Sequence, residues 1–187
     1  MVDRGALLRR AIAALGDEPY ALIGGQALLL HGHARQTDDV DLLVGTKAIL
    51  DPRRWPTGDP AVVLRPGDPP FDPLDGVVSL TAVDVDEVDP PVSTEIIVLD
   101  RPWARAILGR CHQRARLAGI ALPLVDLADL VILKAYAGGA IDRADLATLA
   151  ERPDWREICA QAEARLAESG PPAARRNLTR WLALLEG

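Results

Sequence analysis

At 187 residues, with 27 acidic against 21 basic side chains and a net charge of -6, the chain has room for one sizeable core and is too acidic for a typical nonspecific nucleic-acid binder. Mean hydropathy is +0.07 and no run reaches the roughly 20 apolar residues of a membrane span, so a soluble, cytoplasmic protein without membrane contact is expected. Cys111 and Cys159 are too few and too far apart for a disulfide framework or a metal knuckle, and are expected as two reduced thiols.

The apolar spacing over residues 4–15 predicts an amphipathic helix, and residues 20–23 a short strand running into Gly24-Gly25. One or two helical turns over 26–31 follow, then a strand over 39–44. Residues 51–76 are rich in Pro, Gly and Asp and read as an irregular surface excursion holding one short strand at 61–64. Strands are expected at 77–83 and 94–99, separated by the acidic DVDEVDPP segment, then a short helix at 103–108 and one or two edge strands around Gly119. From residue 126 the pattern turns helical. A helix over 126–137 has Asp126 as its N-cap and Gly138-Gly139 as its stop, and helices at 142–150, 155–168 and 173–185 complete the chain. Strands early and helices late predict an α+β fold: a mixed-sheet catalytic core over 1–124 with a helical C-terminal region over 125–187 packed on it.

The densest chemistry lies in residues 22–44, LIGGQALLLHGHARQTDDVDLLV. Side chains alternate along a strand, so Asp39 and Asp41 share one face while the apolar residues around them are buried. Two carboxylates at the mouth of a buried strand repel one another and are costly to desolvate unless a cation or proton compensates. A divalent metal carrying a nucleotide triphosphate suits such a pair of oxygen ligands. Asp38 points the other way and is expected to be solvated. Gly24-Gly25, between strand and helix, lets backbone approach phosphate oxygens without a Cβ in the way.

Taken in order, Gly-Gly, a short helix, and Arg35-x-Thr37-x-Asp39-x-Asp41 followed by apolar residues resemble the nucleotidyltransferase superfamily that includes DNA polymerase beta. The string is most similar to two branches: the toxin-type, abortive-infection enzymes, and the small enzymes that nucleotidylate aminoglycosides or lincosamides. The resemblance implies a nucleotidyltransferase-type fold and Mg²⁺-dependent transfer of NMP from an NTP to an acceptor hydroxyl, with release of pyrophosphate. Asp39 and Asp41 would be the catalytic metal ligands, with two Mg²⁺ ions implied. Two-metal transfer needs a third carboxylate on a neighbouring strand. Glu95, just before Ile96-Ile97-Val98, is the choice over Asp84 and Asp86. Gly24, Gly25, Arg35 and Thr37 would bind nucleotide, with Arg35 and Thr37 alternatively fixing the loop.

Lys134 lies on an otherwise apolar helix in a chain whose only other lysine is Lys47. The toxin-type enzymes carry a Lys followed by an Asp-x-x-Asp-like element here, and the matching positions are Lys134, Asp142 and Asp145. By that resemblance Lys134 would reach the nucleotide phosphates while Asp142 and Asp145 play an accessory part, and helix capping explains Asp142 equally well. The element favours a toxin-like enzyme acting on tRNA or protein, with a possible cognate antitoxin. The alternatives are a small-molecule nucleotidyltransferase, or a nucleotide- or partner-binding module without turnover. His31 and His33 are expected at the pocket rim, since three His and two scattered Cys do not supply a zinc site. Arg110, Arg114 and Arg116 around His112 read as a solvated strand edge before an RNA contact, and the four tryptophans as core anchors.

Overall fold

The computed structural model describes residues 4–56, 62–68, 72–82 and 92–185. The expected strand at 61–64 begins, and that at 77–83 ends, just outside this set, and Asp84 and Asp86 lie outside it altogether. The architecture is α+β and divides into two compact units, Met1–Val125 and Asp126–Gly187.

The first unit is built on a mixed five-stranded sheet in the order β1-β2-β5-β4-β3. Its strands are β1 (Tyr20–Ile23), β2 (Val40–Val44), β3 (Val62–Pro66), β4 (Gly76–Ala82) and β5 (Val92–Val98). Only β2 and β5 run parallel among these neighbours. The register explains the two faces. Leu22, Leu42, Ile96, Val78 and Leu64 form one row across all five strands, and the first four are fully buried. Helix α1 (Arg4–Leu15) packs across β4 and β5, burying Leu8, Ala11 and Leu15 completely. Period-two alternation then forces the next row onto the other face: Ile23, Asp41, Glu95, Ser79 and Val63. The acids therefore lie on the opposite face from that row, a face that also buries Ala21 and Leu43.

Helix α2 (Gly24–Leu30) starts two residues earlier than the spacing predicts, with Gly24 itself at φ 68°. Two short 3₁₀ turns follow β2, η1 (Lys47–Leu50) and η2 (Pro52–Arg54), and Trp55 is anchored beside them by its indole N–H to the Ile49 carbonyl (3.0 Å). The segment read as an irregular excursion thus holds structured parts. Asp75, 3% exposed, accepts from Lys47 Nζ (2.9 Å), Arg101 Nη1 (2.9 Å) and the Asp100 amide (2.8 Å). Burial pushes its carboxyl up, but the Lys47 and amide hydrogen bonds and the neighbouring cations outweigh it and leave its pKa lowered. Helix α3 (Pro102–Arg110) leads to a hairpin of β6 (Arg114–Leu117) and β7 (Ile120–Pro123). Its two-residue turn, Ala118-Gly119, has φ of 48° and 78°, the left-handed pair a right-twisted hairpin requires. Arg114 and Arg116 are exposed on β6, and Arg114 donates to the Ala121 carbonyl across the hairpin.

The second unit is helical: α4 (Leu127–Ala137), α5 (Ala140–Ala150), α6 (Trp155–Ser169) and α7 (Pro172–Leu185). Asp126 caps α4 by accepting from the Asp129 amide (2.9 Å), and Gly138 ends it at φ 71°. Arg165 from α6 reaches Asp126 (2.7 Å) and the buried Asp129 (3.0 Å). Both cysteines are free; burial, with the Glu163 charge behind it, pushes the Cys159 thiol up to about 11. Among the described residues no helix is long and apolar enough to cross a membrane.

Candidate active site

The site forms where α2 leaves β1 above the acidic row. A Cβ on Gly24 would overlap the Asp41 carboxylate, and one on Gly25 would lie 2.8 Å from Thr37 Oγ1 and 2.9 Å from Arg35 Nη1. The space that glycine leaves is thus filled by the site's own side chains. Gly24 adds a second constraint, because its left-handed φ disfavours any L side chain. Gln26 secures the returning loop by donating from Nε2 to the Thr37 carbonyl (3.1 Å). Gly24, Gly25, Arg35, Thr37 and Asp41 are thereby held in one constellation.

Glu95 stands beside Asp41 in the β2–β5 register, on the same face. Asp39, just before β2, joins them through Ser93 Oγ, which donates to its carboxylate (2.6 Å) from two residues before Glu95. The Glu95 carboxylate is itself engaged. Its Oε1 accepts from Ser79 Oγ (3.0 Å) on β4 and from Arg65 Nη2 (3.1 Å) on β3, and Arg65 also donates to Ser79 Oγ (2.8 Å). Arg65, Ser79 and Ser93 are polar members of this face that the residue pattern alone did not single out. The alternation Val78-Ser79-Leu80-Thr81, apolar then polar, is the signal that marks one of them.

Divalent-cation fit divides along the same line. Asp39 and Asp41 are hard oxygen donors on one strand face, the chemistry Mg²⁺ takes. Yet among the described residues no three His, Cys, Asp or Glu side chains are grouped to hold a metal ion. Ser79 on β4 and Arg65 on β3 hold the Glu95 carboxylate on the side of the outer strands.

The histidines also differ from expectation. His31 Nε2 lies 2.8 Å from the Val125 carbonyl, which braces the loop, and His33 is buried and does not line a rim. A recess of about 650 Å³, lined by Gly45, Thr46, Asp100 and Arg105 among others, opens at the opposite end of β2 and is separate from this constellation.

Within the helical unit Lys134 is 5% exposed and donates from Nζ to Asp142 (3.2 Å) and Asp145 (2.5 Å). Asp142 uses its other oxygen to accept from the Gly139 amide (3.1 Å), capping α5. The turn at Gly138-Gly139 folds α5 back so that both acids meet the lysine.

No protein-family model matches the chain, and no curated protein does. Among solved structures it is similar to JHP933 from Helicobacter pylori, at 16% identity over 97% of this chain and 89% of that one, with a TM-score of 0.48. It is similar to an antigenic nucleotidyltransferase-like protein from Paracoccidioides brasiliensis, at 14% identity over 98% and 88%, TM-score 0.42. It is similar also to the antibiotic-resistance factor ANT(2'')-Ia, at 17% identity over 99% and 97%, TM-score 0.43. At these identities and scores the likeness to nucleotidyltransferases says nothing of substrate or activity.

Proposed function

We propose that the chain is a divalent-cation-dependent nucleotidyltransferase that moves NMP from an NTP to an acceptor hydroxyl. One observation carries the reading: Asp41, with Glu95 beside it in the sheet, lies directly against the Gly24-Gly25 turn that also packs Arg35 and Thr37. Anion-binding donors and cation-binding acceptors are thus adjacent, as a triphosphate with its counter-ion requires.

In this reading Asp39 and Asp41 hold Mg²⁺, with Glu95 as the remaining ligand for a second ion. Bound there, Mg²⁺ neutralises phosphate charge and makes the acceptor hydroxyl more acidic. The Arg35 guanidinium and Thr37 hydroxyl bind phosphate oxygens and orient the triphosphate. The acceptor oxygen bonds to the α-phosphorus as the bond from that phosphorus to the bridging oxygen breaks. Pyrophosphate leaves with the bond's electron pair, and the carboxylates of this row are the bases available to the acceptor's proton.

The acceptor we propose is a hydroxyl of tRNA or protein, from the Lys134, Asp142 and Asp145 element that resembles toxin-type enzymes. A nucleotide- or partner-binding module without turnover is the competing reading, favoured by the engagement of Glu95 with Arg65. The test is incubation with each α-labelled NTP and Mg²⁺, with total tRNA or cell protein and an aminoglycoside panel in parallel. Label on tRNA or protein that is absent with Asp41→Asn supports the proposal. Label on the aminoglycosides alone would reassign the acceptor, and nucleotide binding without transfer to any acceptor would favour the binding module.

A further inference from the structure

The Arg65–Glu95 pair is hard to explain as a stability device. The Arg65 side chain is 59% exposed and that of Glu95 33%, in the range where ion pairs contribute little. Its position is more informative. Arg65 lies on edge strand β3 and reaches past Ser79 to the one carboxylate in register with Asp41. Arg65 and Ser79 both engage Glu95 Oε1, so a divalent ion bound by Glu95 would share its carboxylate with a guanidinium, and the two cations repel each other at close range.

We propose that Arg65 is a positioning residue that withholds Glu95 from the divalent cation, so that the resting site offers Asp39 and Asp41 alone and a second cation is admitted only when Arg65 lets go. Ser79 is the hinge of this arrangement: its hydroxyl accepts from Arg65 and donates to Glu95, holding the carboxylate on the β4 side. The inference rests on the reading of Asp39 and Asp41 as cation ligands, and the experiment separates the two.

Mn²⁺ binding, followed by the electron paramagnetic resonance of the free ion, reads the site without turnover. The set is the parent protein, Asp41→Asn, Arg65→Met, Arg65→Lys, Glu95→Gln and the Arg65→Met/Glu95→Gln double variant. Methionine keeps an unbranched apolar stem on an exposed edge position, and far-ultraviolet circular dichroism with thermal melting confirms that each variant folds. The parent should bind one Mn²⁺ that Asp41→Asn loses. Arg65→Met should bind at least tenfold more tightly or take up a second ion, Arg65→Lys should resemble the parent, and the double variant should lose the gain. Parent-like affinity and stoichiometry in Arg65→Met, or a gain that survives Glu95→Gln, overturns the role of Arg65 alone. Binding unaffected by Asp41→Asn, or no Mn²⁺ uptake by parent or Arg65→Met, overturns the cation site itself and this inference with it.

Discussion

Asp41 and Glu95 are direct neighbours in the parallel register of β2 and β5, yet Glu95 is turned outward to Ser79 and Arg65. Like charges on adjacent strands repel, and a hydroxyl and a guanidinium on the next two strands draw one of them aside. The arrangement leaves Asp41 to the Gly24-Gly25 turn and defines what each of the site's glycines must do.

Gly24→Ala should be far more damaging than Gly25→Ala. The first forces a Cβ into both a left-handed backbone and the Asp41 carboxylate, whereas Gly25 has no left-handed φ and its Cβ would press at 2.8–2.9 Å on Thr37 and the end of Arg35. The left-handed penalty of about 1–2 kcal/mol, with overlap added, predicts a loss of about 3 kcal/mol for Gly24→Ala. Gly25→Ala should lose about 1 kcal/mol. Urea unfolding of the three proteins measures the difference.

Lys134→Met should destabilise the helical unit by about 3 kcal/mol, because it strands the Asp142 and Asp145 carboxylates against an apolar helix. Replacing both acids by Asn in the Lys134→Met background should recover most of the loss. Chemical denaturation at neutral pH checks both. A surface lysine would give no change in either protein.

Asp75 gives a pH signature. Its pKa is lowered in the folded chain, so the unfolded state binds the proton more readily, and the contribution is full above the ordinary aspartate range. Stability should fall as pH drops below about 4 and through the depressed native value. Asp75→Asn should cost about 2 kcal/mol at pH 7, since Lys47 and Arg101 lose their counter-charge and the Asp100 amide loses its acceptor oxygen, and the gap to the parent should narrow in acid. Guanidinium unfolding at several pH values tests this.

Much of this was readable from residue order. The two-residue period of a strand puts Asp41 and Leu42 on opposite faces, and the i, i+2 spacing puts Asp39 on the face of Asp41. Asp126 before an apolar run and Gly138 after it mark the ends of α4. What escaped the sequence depends on register between distant segments. Arg65 meets Glu95 only because β3 pairs with β4 and β4 with β5, and nothing near Arg65 in the chain announces it. Asp75 sits among Pro, Gly and Asp residues that read as surface, and only the folded sheet buries it. Lys134 reads as either a phosphate ligand or a solvated cation. The reversal at Gly138-Gly139, which residue order does not announce, sets Lys134 against Asp142 and Asp145.

The most direct test is the thermal and urea stability of the parent and Asp41→Asn, each with and without Mg²⁺ plus each NTP. Asparagine keeps the shape beside Gly24 and removes a repelling charge, so without ligand the variant should stay within about 1 kcal/mol of the parent or slightly above it. With ligand about 100-fold above its dissociation constant, the parent should gain about 2.7 kcal/mol from at least one NTP. Asp41→Asn should gain nothing measurable. An equal gain in both proteins would contradict the assignment of Asp41 as the point where nucleotide and cation engage the chain.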